Sequence, residues 1–210
     1  MDKYLDTSET WNEIANLYAE KFMDFELYNE TYDFFCLNLP INANVLEFGC
    51  GPGNITKFIK NKRNDLNILG TDISKNMIEI AKKNNPSCNF HVSDIRKFNI
   101  HQSKYQGIIS GFCLPYLSNS DLENLIPKLY SSLANNGILY LSFVEGNPIE
   151  SGIKIGRDGK KLYFFYHDKK LVSNILSINH FNIEKSFNLD YQNNDKSVDN
   201  HIVFIAKKID

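Results

Sequence analysis

The residues best suited to chemistry form one glycine-rich stretch, Val45-Leu46-Glu47-Phe48-Gly49-Cys50-Gly51-Pro52-Gly53-Asn54-Ile55-Thr56. Val45 and Leu46 belong to a short apolar run, which is typical of a buried parallel strand. The alternating glycines permit a tight turn whose backbone approaches a ligand closely. Apolar residues after Asn54 then recur at helical spacing. Strand, glycine turn and helix together predict the first unit of a nucleotide-binding α/β fold.

The charge at the end of this strand narrows the choice of ligand. Glu47 would place a carboxylate near any pyrophosphate held by the turn, and the two like charges would repel. The dinucleotide fingerprint would also require a glycine where Asn54 stands, and no Gly-Lys-Ser/Thr follows for a P-loop. A cationic ligand suits the stretch better. An ordinary glycine-rich turn between a strand and a helix remains the alternative.

Two further acidic residues follow predicted strands. Asp72 ends the strand Leu66–Asp72, about 20 residues past the turn, where an acid accepts hydrogen bonds from ribose hydroxyls. Asp94 comes near the end of a third short strand, 89–95. Each acid alone is explained as a helix cap or turn residue. Their order and spacing after the glycine turn are what favour a nucleotide site.

These three stretches together resemble motifs I, II and III of the class I S-adenosylmethionine (SAM) dependent methyltransferases of the small-molecule type. The resemblance runs from about Val45 to Ala206. It implies an α/β fold with a Rossmann-like, seven-stranded, mostly parallel sheet and helices on both faces. It also implies transfer of a methyl group from SAM to a small-molecule acceptor by in-line displacement, releasing S-adenosylhomocysteine.

The resemblance further implies which residues contact SAM. Asp72 would bind the ribose, Ile73 and Met77 would pack on the adenine, and Asp94 with the Ile95 N–H would bind the adenine edge. Tyr18, from a leading helix, would reach the methionine end. The full set of predicted cofactor contacts is Tyr18, Glu47, Gly49, Cys50, Gly51, Asp72, Ile73, Met77, Asp94, Ile95, Ser110 and Phe112.

Residues after strands four and five are predicted to meet the acceptor, because ligands bind outside the carboxyl ends of strands. They are Tyr116, Glu145 and His167. His167 is the candidate base or orienter, since its unperturbed pKa of about 6.5 suits proton transfer. A hydrogen-bonded structural histidine is the alternative, and no other catalytic residue is assigned. The run 112–116 departs from the Asn/Asp-Pro-Pro-aromatic motif of DNA amino methyltransferases.

Several elements must position these residues. Two helices are predicted ahead of the first strand, the first of them capped within 7–10, and a helix over 121–134 capped by Asn119 or Ser120. A hairpin around Asp158-Gly159 is predicted after strand five (138–144). A helix over 168–178 and strands over 181–191 and 200–207 end the chain. We expect one domain with a helical cap (1–40), a cofactor-binding core (41–144), a flap (145–167) and a C-terminal part (168–210).

Composition limits the classes of partner. The chain has 210 residues, 42% of them hydrophobic and 13% aromatic, with a net charge of -2. Such a chain is globular and lacks the basic footprint of a nucleic-acid binder. The polar start and the absence of long apolar runs predict a cytoplasmic protein without membrane contact. We also expect a monomer or homodimer. Four cysteines without paired spacing predict free thiols, and no metal site is expected.

Two other functions stay open. A SAM-binding protein without catalysis would carry the same three motifs. An NAD-dependent oxidoreductase would need a third glycine and a different residue in place of Glu47, so it fits less well.

Overall fold

The computed structural model describes residues 3–99, 102–155, 159–193 and 195–209, and its main feature is one large sheet. The strands along the chain are β1 (Asn44–Phe48), β2 (Asn67–Asp72), β3 (Asn89–Val92), β4 (Tyr105–Ser110), β5 (Leu133–Val144), β6 (Gly152–Ile155), β7 (Lys161–Phe164), β8 (Phe181–Gln192) and β9 (Val198–Lys208). The helices are α1 (Lys3–Glu13), α2 (Ala15–Phe22), α3 (Asn29–Leu37), α4 (Asn54–Lys62), α5 (Lys75–Asn84), α6 (Asn119–Ser132) and α7 (Lys169–Ile178). Among the described residues, none of these helices has the length and apolar character needed to cross a membrane.

The strand order in the sheet is β3-β2-β1-β4-β5-β9-β8. Strands β1 to β5 pair in parallel, whereas β9 runs antiparallel between β5 and β8. The predicted Rossmann-like, seven-stranded, mostly parallel sheet is therefore confirmed. Strand order reverses between β1 and β4, which is the switch point where open α/β sheets bind their ligands.

Alternating side chains of the central strands build two apolar layers. Val45 of β1 packs in a cluster with α3 and α4, while its neighbour Leu46 packs on the other face with α6 and α7. This alternation follows from the two-residue period of a strand. Both layers are buried, so the short apolar run of β1 is explained and helices cover both faces as predicted.

The leading segment forms three helices where two were predicted. The first predicted helix is interrupted at Ile14, which separates α1 from α2. The predicted caps within 7–10 lie inside α1 instead. Two of those hydroxyls bind the hairpin: Thr10 Oγ1 donates to the Lys161 carbonyl (2.8 Å) and Thr7 Oγ1 accepts from the Tyr163 N–H (3.1 Å). Tertiary hydrogen bonds, rather than capping, explain these threonines.

The elements around β5 differ slightly from expectation. Helix α6 is capped by Ser118, which forms a capping box with Asp121, so the cap precedes the predicted one. Strand β5 begins at Leu133, before the predicted Asn136-Gly137 turn. The predicted turn residues lie within β5 at a break in its pairing with β4, which shifts there from Tyr105↔Leu133 to Gly107↔Ile138.

Strands β6 and β7 form the predicted hairpin after β5 as a separate antiparallel pair. Asp158, in its predicted turn, lies outside the described residues. Gly159 has a φ of 76°, a left-handed conformation that glycine adopts without strain. The two threonine hydrogen bonds hold the hairpin to α1, so α1 and β7 pack together.

Candidate active site

A cavity of about 460 Å³ lies at the carboxyl ends of the central strands. Its wall combines the glycine turn, the residues that follow β2, β3 and β4, the helices α1 and α2, and residues of β8 and β9. This volume lies within the range of about 300–1,000 Å³ that small-molecule sites occupy. Because residues of α1 and α2 form part of the wall, these helices cover the site, as expected for the helical cap.

The glycine turn between β1 and α4 has a conformation that other residues adopt with strain. Gly49, Gly51 and Gly53 have φ values of 60°, 52° and 82°. A Cβ added to Gly49 would meet Cys113 Cβ at 3.1 Å, and one added to Gly51 would meet the Tyr18 ring at 3.6 Å. Gly49 and Gly51 line the cavity, so the turn leaves bare backbone where a ligand approaches.

Glu47 is fully buried beneath this turn and does not line the cavity. The Thr56 hydroxyl of α4 donates to Glu47 Oε2, while Oε1 has no hydrogen-bond partner among the described residues. Burial raises the pKa of Glu47 to about 8, against the opposing effect of the Thr56 bond. Glu47 therefore lies behind the turn and not in the cavity wall, and its predicted contact with the cofactor stays a prediction.

Asp72 joins the end of β2 to the glycine turn and lines the cavity. Its Oδ2 accepts from the Gly51 N–H (2.9 Å) and its Oδ1 from the Ser74 N–H (2.8 Å). Burial raises the pKa of Asp72, and these backbone bonds oppose the rise. The Ile73 N–H also bonds this carboxylate, which has about four lone-pair positions, so capacity for a ligand remains.

Asp94 marks one end of the cavity. Burial alone would raise the pKa of Asp94, but hydrogen bonds from Arg96 outweigh it and lower that pKa. The closest contact of this ion pair is 2.6 Å, and the Arg96 guanidinium lies 3.8 Å from the centre of the Tyr4 ring. Ile73, Met77 and Ile95 line the same end, so it combines apolar surface with one polar edge.

Aromatic rings of the helical cap and the loop after β4 form the roof of the cavity. Trp11 packs edge-to-face on Tyr18 (5.3 Å between ring centres) and on Tyr116 (5.2 Å). Phe112 has a φ of 56°, and its N–H donates to Ser142 Oγ of β5 (2.7 Å). Tyr18, Tyr116 and Phe112 all line the cavity, as the predicted contacts require, although their binding roles stay predictions.

His201 is a cavity residue that the sequence analysis missed. It lies on β9 opposite Val144, the last residue of β5, and its Nδ1 is 2.6 Å from Tyr28 Oη. The ring stacks on Tyr191 (4.9 Å, 7° between planes). Burial lowers the pKa of His201 to about 4, although the charge of Asp199 opposes this. The signal that could have indicated it is a histidine directly before the apolar run 202–206 of this strand.

His167, the predicted base or orienter, is fully buried and lies outside the cavity wall. Its Nε2 is 2.9 Å from the Leu114 carbonyl oxygen and its Nδ1 is 3.1 Å from Asn119 Oδ1. Because a carbonyl only accepts, Nε2 carries a proton. Burial lowers the pKa of His167, and the Leu114 bond opposes this, so the ring is neutral. Nδ1 of the neutral ring then accepts from the Asn119 amide N–H, which requires the amide oxygen and nitrogen of Asn119 to be exchanged. The structure contradicts the predicted acceptor contact: His167 connects the chain before α7 to the turn at 114–116.

Three other predicted contacts also lie outside the cavity wall. The Glu145 carboxylate accepts from Asn200 Nδ2 (2.7 Å), so it ties β5 to β9 instead of facing an acceptor. The Cys50 side chain packs with Ile78 and Phe90, and Ser110 is fully buried. Each lies at or just after the end of a strand, but the Cys50 and Ser110 side chains point into the protein, which sequence position alone does not determine.

Charge along the cavity wall favours a ligand with a positive group. The acids are Asp72, Asp94 and Asp199, and the cations are Lys21 and Arg96, the second already paired with Asp94. A pyrophosphate would meet repulsion here, as the sequence suggested. Within the described ranges, no three His, Cys, Asp or Glu side chains gather as metal ligands would.

Comparison with known proteins identifies the central part of the chain. Residues 45–137 match the family model described as "Methyltransferase domain", a stretch that contains the glycine turn, Asp72 and Asp94. The cavity is thus built largely on the matched residues, with the helical cap and β8–β9 contributed from outside them.

Two relatives and one solved structure extend this result. Trans-aconitate 2-methyltransferase of Variovorax paradoxus is 35% identical over 101 residues, 48% of this chain and 38% of that protein. Malonyl-(acyl-carrier protein) O-methyltransferase of Acetivibrio thermocellus is 31% identical over 116 residues, 54% of this chain and 40% of that protein. The chain thus covers about two fifths of either relative's length. Magnesium protoporphyrin IX methyltransferase from Synechocystis, with bound S-adenosylhomocysteine, has a TM-score of 0.73 at 17% identity, covering 99% of this chain and 100% of that chain. This likeness is one of fold: the chain and that methyltransferase share the same arrangement of helices and strands.

Proposed function

We propose that this chain binds SAM in the cavity and transfers its methyl group to a small-molecule acceptor. The observation that carries the proposal is Asp72, which bonds the glycine turn and keeps hydrogen-bonding capacity for a ligand beside bare glycine backbone. That arrangement suits the paired hydroxyls of a ribose. The methyltransferase domain matched at 45–137 contains both parts.

The residues of the cavity fit the parts of SAM. Asp94 offers an acceptor for an adenine amino group, with Ile73 and Met77 as apolar surface for the ring. The turn at Gly49 and Gly51 allows close approach of the methionine part, and the acids of the wall suit its positive charge. Glu47, behind the turn, adds a buried carboxyl whose free oxygen would favour a cation.

For methyl transfer, the protein's main task is to position the acceptor. SAM when bound supplies a methyl group on a positively charged sulfur, which is a good leaving group. The chain's own residues must hold the acceptor in line and exclude water, which contributes about 7–11 kcal/mol to lowering the barrier. The aromatic roof of Trp11, Tyr18 and Tyr116 covers the cavity and suits that task.

Calorimetry tests the proposal and separates it from an NAD-dependent activity. We expect saturable binding of SAM and of S-adenosylhomocysteine and none of NAD. Asp72→Ala should weaken SAM binding at least tenfold, since each hydrogen bond to a charged acceptor contributes about 1.5–3 kcal/mol. Asp190→Ala, which removes an exposed carboxylate on β8, is the matched control and should bind normally. NAD binding without SAM binding would refute the proposal, and SAM binding without turnover on any acceptor would leave the non-catalytic alternative.

A further inference from the structure

One end of the cavity holds a histidine with one ring nitrogen engaged. Nδ1 of His201 pairs with Tyr28 Oη, whereas Nε2 has no hydrogen-bond partner among the described residues. Tyr191 stacks on the ring, and Phe112 lies 5.0 Å from it between ring centres. Since His201 lines the cavity, Nε2 is available to a molecule that lies there.

The His201 ring is uncharged at neutral pH, so one of its nitrogens can accept. Burial lowers the pKa of His201 to about 4, so one ring nitrogen has a lone pair at neutral pH. Burial also raises the pKa of Tyr28, which therefore keeps its proton and can either donate to Nδ1 or accept from Nδ1–H. In the second of these tautomers, which the proposal below requires, the lone pair is on Nε2. The imidazolium formed after proton uptake would face the Tyr191 ring and the charge of Asp199.

The surroundings of His201 suit an uncharged aromatic acceptor. Phe22, Phe25, Phe112 and Tyr191 supply flat apolar walls. Lys21 is the one cation of the described cavity wall at this end, and its Nζ lies 3.2 Å from Tyr191 Oη. An acceptor with two or three carboxylates would have to bury charge without enough partners, which is costly.

We infer that Nε2 of His201 takes the proton of a flat, uncharged aromatic acceptor that carries a weakly acidic hydroxyl or ring N–H. The inference rests on the methyl transfer proposed above. The acceptor's oxygen or nitrogen uses its lone pair to form the bond to the methyl carbon. The carbon–sulfur bond breaks and leaves its electron pair on sulfur. The acceptor's proton moves to Nε2, and the imidazolium later returns it to solvent.

The test uses 2-naphthol and benzimidazole as probes, with trans-aconitate as the contrasting polyanion. With SAM bound, we expect methylation of at least one aromatic probe and none of trans-aconitate. His201→Phe keeps a ring against Tyr191 but removes both nitrogens. It should leave S-adenosylhomocysteine affinity within about twofold and lower kcat for the aromatic probe by about 10²–10⁴-fold at neutral pH. His91→Phe, on the exposed face of β3, is the matched control and should keep full activity.

The pH dependence distinguishes a base from a structural residue. Above the probe's own pKa its proton is already lost, so the deficit of His201→Phe should shrink as pH rises. A deficit equal at all pH values would overturn the inference. In ¹⁵N NMR of the wild-type chain with S-adenosylhomocysteine, the His201 Nε2 signal should shift when 2-naphthol or benzimidazole is added. An unmoved signal, full activity of the variant, no turnover of either aromatic probe or preference for trans-aconitate would each overturn it. Failure to bind SAM at all would instead refute the proposed function.

Discussion

At the scale of single residues, two histidines occupy positions that differ from those their sequence context favours. His167 precedes a helix in an aromatic run, which favours a site residue, yet both its ring nitrogens bond inside the protein. His201 directly precedes the apolar run 202–206 of β9, which favours a core residue, yet it lines the cavity. Strand alternation accounts for His201: with Val203 and Ile205 it faces the side where α3 and α4 pack.

Removing the His167 ring should affect folding far more than cofactor binding. His167→Ala leaves the Leu114 carbonyl and the Asn119 amide without their buried partner, and each unsatisfied group costs about 1–3 kcal/mol. We expect a lower free energy of unfolding in urea and SAM affinity within about twofold of wild type. His91→Ala, at an exposed position, is the control. An unchanged unfolding midpoint would show that the two bonds contribute nothing.

At the scale of elements, helix α1 covers the cavity and is hydrogen-bonded to α5, to β7 and, through Tyr4 and Asp121, to α6. Asn12 Oδ1 accepts from Ser74 Oγ (3.1 Å) and from the Asn76 N–H (3.0 Å), which holds α1 to the start of α5. The bonds of Thr7 and Thr10 hold it to β7. A ligand of SAM's size must displace this helix or enter beside it, so its attachment sets the rate of exchange.

Loosening α1 at Asn12 should speed ligand exchange. Asn12→Ala removes two of the hydrogen bonds to α5, so we expect faster hydrogen exchange over residues 3–22 and faster S-adenosylhomocysteine dissociation. Trp11, the chain's one tryptophan, lies in the cavity wall and reports dissociation by stopped-flow fluorescence. Asn16→Ala, exposed on α2, should change neither rate. Equal dissociation rates in Asn12→Ala and wild type would mean that α1 does not gate the cavity.

Elements were more predictable than side-chain directions. The glycine turn, Asp72 and the hairpin follow from local signals, because turn glycines, strand-end acids and alternation act within a few residues. The contacts of α1 with β7 and of Glu145 with Asn200 join residues more than fifty positions apart in the sequence. Such contacts have no local signature, which is why Tyr116 was placed in the cavity correctly and Glu145 was not.

At the scale of the whole molecule, buried titratable groups of opposite kind set the pH range of stability. The pKa of Glu47 rises from 4.5 to about 8 on folding, so its contribution is full below about pH 4.5 and is lost as pH rises toward 8. The pKa values of His167 and His201 fall on folding from 6.5. Their contributions are full above about pH 6.5 and are lost as pH falls.

We therefore expect the free energy of unfolding to decline on both sides of a mildly acidic maximum. Glu47→Gln keeps an acceptor for the Thr56 hydroxyl and removes the titration, so the alkaline decline should flatten while the acid decline persists. Thermal unfolding from pH 4 to pH 9 measures both. Glu79→Gln, exposed on α5, should follow the wild-type curve. An alkaline decline as steep in Glu47→Gln as in wild type would assign it to other groups.

The strand order has a thermodynamic consequence for any pair of substitutions at the two ends of the cavity. Asp72 ends β2 and His201 lies on β9, with β1, β4 and β5 between them. At about 4.8 Å per strand the two backbones are about 19 Å apart. Changes at sites so distant add within about 0.3–0.5 kcal/mol when nothing joins them. In a double-mutant cycle on the ligand-free chain, Asp72→Ala and His201→Phe should therefore be additive. Any coupling that develops with ligands present then measures how far the bound molecules themselves connect the two ends.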